Sequence, residues 1–386
     1  MNYLYIHCTS DLYGASRMML RTISRQLNER INIFVILPNN GPLAPKLESL
    51  GAKVKIIKVD PTIRKSYLKS PIKFLKLLRY FYISFFTFRK IAKLNSVNLI
   101  ITNTSQTLVG GPIAKSLGIP HICHVRESYE EYGLFWKVYE KYLLYFSDLL
   151  LCVSNAMMMQ FNAYTHNKKV CVLHDGFPLD EFSPIDIDRI NSFKKHFDLD
   201  GYLLVGLVGR IIFQRKGQDV FVKSINYIKS RIKNTKFLIV GSCYPGNEYH
   251  LKNLIKLIEE MQLTDEIILT GEIDDIKAVY ASLDISIMAS AKPEPFGGVT
   301  IESMAYGKPV IGTNIGGTPE QIINENTGIL IPPNNPLLMG ESILRLLNDS
   351  TLRKKMGDNA FKRFNKLFGF EPYYENLKKF YNNIIS

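Results

Sequence analysis

The sequence predicts an α/β protein built from two doubly wound, parallel-sheet domains, and three observations carry that reading. The chain has 386 residues, 46% hydrophobic and 22% charged, which suits a globular protein of two well-filled cores at roughly 100–200 residues per domain. Short β-rich apolar runs recur along it, separated by segments of helical periodicity. The series of runs restarts once, at Leu203, after a polar, proline-containing stretch from Asp175 to Gly201.

The first run, 4–8, stands at the N-terminus with no basic leader ahead of an apolar stretch. It reads as a buried strand and not as a secretory signal, which places the protein in the cytoplasm. Further runs follow at 33–37, 54–59, 99–102, 121–125, 149–153 and 170–173. Beyond Leu203 the runs are 203–208, 237–240, 267–270, 285–289, 310–313 and 328–331. They are continuously apolar instead of alternating, as strands covered on both faces are. Strand–helix alternation then gives doubly wound layers. Domains are expected at 1–175 and 176–365. A closing helix within 366–386 has no following strand and is expected to pack back across the boundary. In such sheets ligands sit beyond the carboxyl ends of the strands, against helix N-termini. Two Rossmann-like domains facing each other would therefore hold a ligand in the cleft between them.

Five cysteines (Cys8, Cys123, Cys152, Cys171 and Cys243) are scattered, mostly within apolar runs, with no Cys-x-x-Cys pair. That spacing argues against a disulfide framework or a zinc site and for buried thiols in a reducing compartment. The formal net charge is +13, which invites an anionic partner. No zinc-finger, RRM or helix-turn-helix signature supports nucleic acid. The densest basic segment is 65–93, where Lys65, Lys69, Lys73, Lys76, Arg79, Arg89, Lys90 and Lys93 surround aromatic and aliphatic residues. Its uncharged run, 80–88, is too short for the ~20 apolar residues of a spanning helix. Two readings stand: an amphipathic helix on an anionic membrane surface, or a core-packed helix pair with a solvated basic face.

The most informative stretch runs from Glu294 through Pro295-Phe296-Gly297-Gly298-Val299-Thr300-Ile301-Glu302 to Gly307-Lys308-Pro309-Val310-Ile311. It follows the apolar run 285–289, and Pro293 and Pro295 hold Glu294 in an extended loop. A helix is expected to start after Gly297-Gly298 and end at Gly307. Strand, glycine loop and helix N-terminus together make an anion site, where N–H groups near Val299 and Thr300 meet a phosphate. Glu294 and Glu302 flank it, and carboxylates accept hydrogen bonds from the paired hydroxyls of sugar rings. The plain alternative is a loop acid and a helix-terminal acid complementing the dipole.

This segment resembles the Glu-x7-Glu signature of family 4 of the glycosyltransferases, retaining enzymes of the GT-B fold. The resemblance continues through Gly312-Thr313-Asn314-Ile315-Gly316-Gly317-Thr318-Pro319-Glu320 and Thr327-Gly328-Ile329-Leu330. It covers the second half of the chain closely and the first half more loosely. It implies that Glu294 contacts the donor sugar and Glu302 the ribose, with Phe296 beside them. A second cluster, Gly209-Arg210-Ile211-Ile212-Phe213-Gln214-Arg215-Lys216-Gly217, resembles the family's Gly-Arg…Lys-Gly pattern. It implies that Arg210 and Lys216 bind the diphosphate, whose leaving oxygen needs fixed positive charge; Arg215 reads as solvated. Gly271 and Ile273, at the end of another run, are the expected base contacts.

The first domain is expected to serve the acceptor. Asp11-Leu12-Tyr13-Gly14-Ala15-Ser16 looks like the family's glycine loop, with one glycine where a pair is common, so Gly14 is a donor-contact candidate. At the end of run 121–125 stands His124-Val125-Arg126-Glu127. The family often carries a histidine here against the transferred sugar, which makes His124 a catalytic-pocket candidate. Arg126 and Glu127 meet acceptor groups or pair with each other. The implied reaction moves a sugar from a nucleotide-diphosphate-sugar to a glycan or lipid-linked acceptor, with retention and without metal or other cofactor. Asp186-Ile187-Asp188 and Asp198-Leu199-Asp200 match the Asp-x-Asp string of metal-dependent transferases, but both fall in the polar interdomain stretch. A nucleotide-sugar epimerase or hydrolase on the same fold, and a non-catalytic membrane-associated assembly component, are the competing readings.

Overall fold

A computed structural model describes residues 1–59, 61–68, 70–161, 169–182 and 185–385. Its contacts fall into two compact units: Met1–Gly176 joined by the C-terminal segment from Tyr373, and Phe177–Pro372.

Unit 1 holds a seven-stranded sheet in the order β3-β2-β1-β4-β5-β6-β7, parallel throughout. Its strands are β1 Asn2–Ile6, β2 Asn32–Leu37, β3 Lys53–Ile56, β4 Leu99–Thr102, β5 His121–Val125, β6 Leu149–Cys152 and β7 Val170–Val172. Unit 2 holds a six-stranded parallel sheet in the order β10-β9-β8-β11-β12-β13. Those strands are β8 Leu203–Val208, β9 Thr235–Val240, β10 Ile267–Gly271, β11 Ile285–Met288, β12 Val310–Thr313 and β13 Gly328–Ile331. Every expected run is a strand, and the order reverses at β1/β4 and at β8/β11. Those reversals are where an open α/β sheet leaves a crevice.

The helices that matter below are α1 Gly14–Asn28, α2 Pro71–Leu94, α3 Gly110–Leu117, α4 Leu134–Phe146, α5 Gln218–Ile228, α6 Gly298–Ala305 and α7 Phe370–Ile385. Phe88 and Ala92 of α2 and Ile113 of α3 pack with Leu4, Ile6, Phe34 and Ile100. These two helices thus share one face of the unit 1 sheet, and right-handed crossovers put α4 there too. In unit 2, Phe221 and Ile225 of α5 pack with Val205, Leu207, Ile239 and Ile287. The C-terminal helix α7 lies against the start of unit 1. Tyr373 and Thr22 share a hydroxyl hydrogen bond of 3.0 Å, the ring of Tyr381 meets Tyr3 edge-on at 6.0 Å, and Lys378 reaches Glu29 at 3.2 Å.

Three expectations change in detail. The first strand begins two residues earlier than its apolar run, because amides open the ladder: Asn2 N–H donates to Asn98 Oδ1 and Asn32 Nδ2 to Asn2 Oδ1, both at 2.9 Å. The run 54–59 stops being strand at Ile56, where the chain turns and Val59 N–H reaches back to Ile57 O at 2.6 Å. The 65–93 segment is a very unequal helix pair, its longer member packed into the core through Phe88 and Ala92. It is a single turn, Lys65–Leu68, followed by the unbroken α2; Lys69 lies outside the described residues. Pro71 at its first turn and the Ser70 cap start α2, and no glycine or proline interrupts it. No described helix is long and apolar enough to cross a membrane.

Candidate functional site

At the β8/β11 reversal of unit 2, the loops leaving the two strands enclose a cavity of about 130 Å³. Gly209 and Arg210 enter it from β8, and Lys216 and Gln218 from the loop that opens α5. Ser290 and Glu294 come from the loop after β11, and Phe296, Gly297, Gly298 and Val299 from the start of α6.

Two glycines allow these loops to touch. Gly217 has φ +72°, and a Cβ there would lie 1.9 Å from the Ala289 carbonyl oxygen. The β8 loop therefore rests directly on the β11 loop, joined by Ala291 N–H to Arg215 O at 2.9 Å. Gly316, with φ +61°, sits under Glu294, where a Cβ would be 2.5 Å from its carbonyl oxygen and 2.7 Å from its nitrogen. Gly317 N–H donates to that same oxygen at 2.8 Å. The glycine pair after β12 thus fixes the height of the Glu294 loop.

The charges are placed with matching care. Lys216 Nζ donates to Glu294 Oε1 at 2.7 Å, and Ser290 Oγ donates to the same oxygen at 3.1 Å. Both bonds fall on Oε1, so Oε2 keeps its acceptor capacity. The two side chains are 28% and 15% exposed, which leaves the pair within reach of a ligand. The Arg210 guanidinium lies 3.4 Å from the centroid of the Tyr244 ring, and its carbonyl accepts Gln218 Nε2–H at 2.9 Å.

Helix α6 begins one residue earlier than expected, at Gly298, with Gly297 as its N-cap. Its first N–H groups have no acceptor within the helix, and Gly297, Gly298 and Val299 line the cavity. Gln321 Nε2–H anchors the cap by donating to Gly297 O at 3.0 Å. Thr300 is fully buried, its hydroxyl unpartnered, and does not line the cavity. Glu302 does not line it either. Its Oε2 accepts the Tyr280 hydroxyl at 2.7 Å, while Oε1 lies 4.0 Å from where a Gly298 Cβ would be. Gly271 and Ile273 also stay outside the cavity lining. Gly271 ends β10 in the open with φ +70°, and Ile273 packs against the core cluster containing Phe193, Leu238 and Val279.

Unit 1 arranges its reversal edge differently. The loop before Gly14 is tied down by Asp11, whose Oδ1 accepts Tyr13 N–H at 3.0 Å and the Ser16 hydroxyl at 3.1 Å. A Cβ on Gly14 would meet nothing within 4 Å. His124 is buried, its Nε2 3.5 Å from the Tyr381 hydroxyl. Burial, aided by the Arg126 charge, pushes its pKa down to about 3, so the ring is neutral near pH 7. Arg126 and Glu127 do not pair through their side chains, which removes that one of the two alternatives. Arg126 Nη1 contacts both oxygens of Asp175, at 2.8 and 2.6 Å. Burial works against its charge, but Asp175 outweighs burial and the pKa is raised. Glu127 Oε2 instead accepts the Ser105 hydroxyl at 2.5 Å, Ser105 N–H at 3.1 Å and Arg126 N–H at 3.2 Å. Burial raises its pKa, with these bonds opposing. The Asp-x-Asp strings have local duties: Asp186 accepts Asp188 N–H at 3.1 Å as a helix cap, and Asp198 occupies a turn at φ +52°.

Two family models match this chain, Glycosyltransferase Family 4 over residues 14–181 and Glycosyl transferases group 1 over residues 188–363. The chain belongs with the family 4-like glycosyltransferases. Among similar glycosyltransferases is the capsular polysaccharide biosynthesis glycosyltransferase CapM of Staphylococcus aureus. It is 28% identical over 211 residues, which is 55% of this chain and 53% of CapM. Another is the GDP-mannose-dependent α-(1-6)-phosphatidylinositol monomannoside mannosyltransferase of Mycobacterium tuberculosis, 28% identical over 55% of each chain. The chain's matches to these two thus span about half of their length. Anabaena HepE, solved in complex with UDP, has the same fold with a TM-score of 0.84 at 19% identity, covering 99% of this chain and 100% of HepE. A Rickettsia africae glycosyltransferase gives 0.86 at 21% identity over 100% of this chain and 98% of its own. Both units are accordingly Rossmann-like domains of the GT-B type.

Several residues that line or support this cavity are not marked by the sequence motifs. Ser290 directly follows the apolar run 285–289 and Gln218 directly follows Gly217, and a polar residue at a strand end or just after a loop glycine was an available signal. Tyr244 lies at the end of a different strand, and nothing local marks it. Gly316 and Gly317 were read as part of the resemblance, but their task beneath Glu294 emerges only in three dimensions.

Proposed function

We propose that this chain transfers a sugar, with retention and without a metal, from a nucleotide-diphosphate-sugar to an acceptor hydroxyl. The observation that carries the reading is the convergence of Arg210, Lys216, Glu294 and the α6 N-terminus on one cavity at the β8/β11 reversal. Two cations and a helix N-terminus form a diphosphate site. At ~4 Å and an effective dielectric near 20, each cation contributes about 4 kcal/mol before desolvation. That charge matters most as the bond from the sugar C1 to the β-phosphate oxygen breaks and its electron pair moves to the phosphate. The acceptor oxygen forms the new bond to C1, and its proton goes to the departing phosphate oxygen.

Glu294 is suited to the sugar because Lys216 and Ser290 hold one oxygen and leave the other for a ring hydroxyl. Glu302, fixed by Tyr280, takes the ribose in this reading. Unit 1 serves the acceptor side, with His124 as a neutral hydrogen-bonding imidazole. HepE, whose complexes hold UDP and UDP-glucose, supplies the analogy for the donor class. The names of the capsular and phosphatidylinositol relatives point the acceptor toward surface polysaccharide or glycolipid assembly.

Calorimetric titration with UDP, GDP and ADP, each without added metal, tests the donor site. Saturable binding of one nucleotide, weakened by Arg210→Ala, is expected. A folded protein that binds none of the three refutes it. Transfer that survives EDTA supports the metal-free reaction, and complete loss restored by manganese overturns that part.

A further inference from the structure

We infer that the α2–α3–α4 face of unit 1 is a docking surface for an anionic lipid bilayer, with α4 sharing the contact. This stands independently of the reaction proposed above.

The inner side of α2 is accounted for by Leu77, Ser84, Phe88 and Ala92, which are buried, Phe88 and Ala92 within the core cluster of the sheet. Its outer side is the anomaly. Leu75, Leu78, Tyr82 and Phe86 recur at helical spacing, and they are between 49% and 65% exposed. Ile72 at one end and Leu94 at the other are more exposed still. A monomer does not ordinarily leave such a contiguous apolar stripe to water.

The charge around the stripe says what covers it. Helix α2 carries Lys73, Lys76, Arg79, Arg89, Lys90 and Lys93 and no acidic residue. A second copy of the chain would set these cations against their like, which disfavours self-association. Phosphate headgroups complement them, while the aromatic and aliphatic side chains enter the headgroup boundary. The helix lies on such a surface and does not cross it.

The second observation comes from α4. There Leu134, Val138, Lys141 and Tyr145 recur at helical spacing, with Leu134, Val138 and Tyr145 between 64% and 80% exposed. Lys137 also lies at the surface, and the acid of this helix, Glu140, is buried. Helix α3 joins the two: Arg89 Nε of α2 donates to Ser116 Oγ at 3.0 Å, and Lys115 Nζ sits 3.3 Å from the centre of the Tyr145 ring. The two apolar, basic stripes therefore belong to one continuous surface.

The test is co-sedimentation of the full chain with vesicles of phosphatidylcholine alone and of phosphatidylcholine mixed with phosphatidylglycerol. Binding at least about tenfold stronger to the anionic vesicles, falling as salt rises, is expected. Leu75→Glu with Phe86→Glu should abolish it, and Val138→Glu alone should weaken it several-fold. These exposed positions leave folding untouched, which unchanged thermal melting and nucleotide titration would verify. Equal partition to both vesicles, or no partition to either, overturns the proposal. So does a dimer in light scattering that the same substitutions dissociate. Full binding by the Val138→Glu variant removes α4 from the surface.

Discussion

The two sheets reverse at equivalent places, yet the edges they present are opposites. At β8/β11 the side chains leave a cavity: two cations, a carboxylate with one oxygen to spare, and a helix start with unused N–H groups. At the β1/β4 edge and the neighbouring end of β5, most polar side chains pair with one another, although Arg126 Nε is buried without an acceptor among the described residues. His7 Nε2 engages the Ser16 hydroxyl at 2.9 Å, Arg126 engages Asp175, and Glu127 engages Ser105. The same topology thus leaves charged groups facing a cavity at one reversal and pairs most of them with one another at the other. Topology supplies the crevice, and the residues at the strand ends decide which groups in it stay unpaired.

The sharpest way to test that contrast is to damage both edges. On the unit 2 side, Glu294→Ala should lower turnover by about 10²–10³-fold with the fold intact, in line with losing one preorganised polar partner. Gly316→Ala touches no ligand in this scheme, but its methyl cannot share space with the Glu294 backbone. Displacing that loop by an ångström should cost about 10²-fold in turnover, with little change in nucleotide affinity. Wild-type turnover in Gly316→Ala would show that the Glu294 loop tolerates displacement.

On the unit 1 side the damage should appear as lost stability. Arg126→Met leaves the largely buried Asp175 without its cation, and breaking such a pair costs up to about 3 kcal/mol. Denaturant unfolding of the variant should show that loss, and adding Asp175→Leu should recover most of it. Were Arg126→Met as stable as wild type but unable to transfer sugar, Arg126 would belong to a ligand site and the contrast between the edges would collapse.

The contrast also explains what was legible in the sequence. Most strands were visible because parallel strands covered on both faces are continuously apolar; the edge strand β3, Lys53–Ile56, alternates exposed lysines with apolar residues. Their ends were less visible, since apolar runs report burial while ladders depend on pairing: Cys8 extends the first run beyond the strand, and Asn2 begins the strand outside the run. The unit 2 cavity could be read because its charged residues fall in two contiguous segments, 209–217 and 294–302. Its supports could not, for Gly316, Gln321 and Tyr280 reach it from other elements. Unit 1 hid its pairings for the same reason. Arg126 finds Asp175 from 49 residues away, and no local pattern chooses that partner over the adjacent Glu127.

A smaller effect follows from the histidines of unit 1. Burial pushes His7 and His121 down to about 4 and His124 to about 3, from the ordinary 6.5. Below pH 6.5 the unfolded chain takes up protons that the folded rings refuse, so stability falls as pH drops toward 4. Each histidine contributes about 1 kcal/mol per pH unit in that window. The described histidines of unit 2, His196 and His250, are not buried. Thermal unfolding followed between pH 7 and pH 5 should therefore lose unit 1 ahead of unit 2, and loss of unit 2 first would contradict this ordering.

The smallest effect isolates one contact in the open edge. In the proposed reaction Arg210 meets the diphosphate, and the Tyr244 ring beneath its guanidinium restricts where that side chain can lie. A cation–aromatic contact at a partly exposed site is worth about 0.5–1 kcal/mol. Tyr244→Ala should therefore weaken nucleotide binding about two- to fivefold, and Tyr244→Phe, which keeps the ring, should not. The role is positioning, so it must vanish when there is nothing to position. In an Arg210→Ala background, Tyr244→Ala should change affinity no further. An additive loss in the double variant would mean that the ring contacts the nucleotide directly, and Tyr244 would then count as part of the cavity and not as its support.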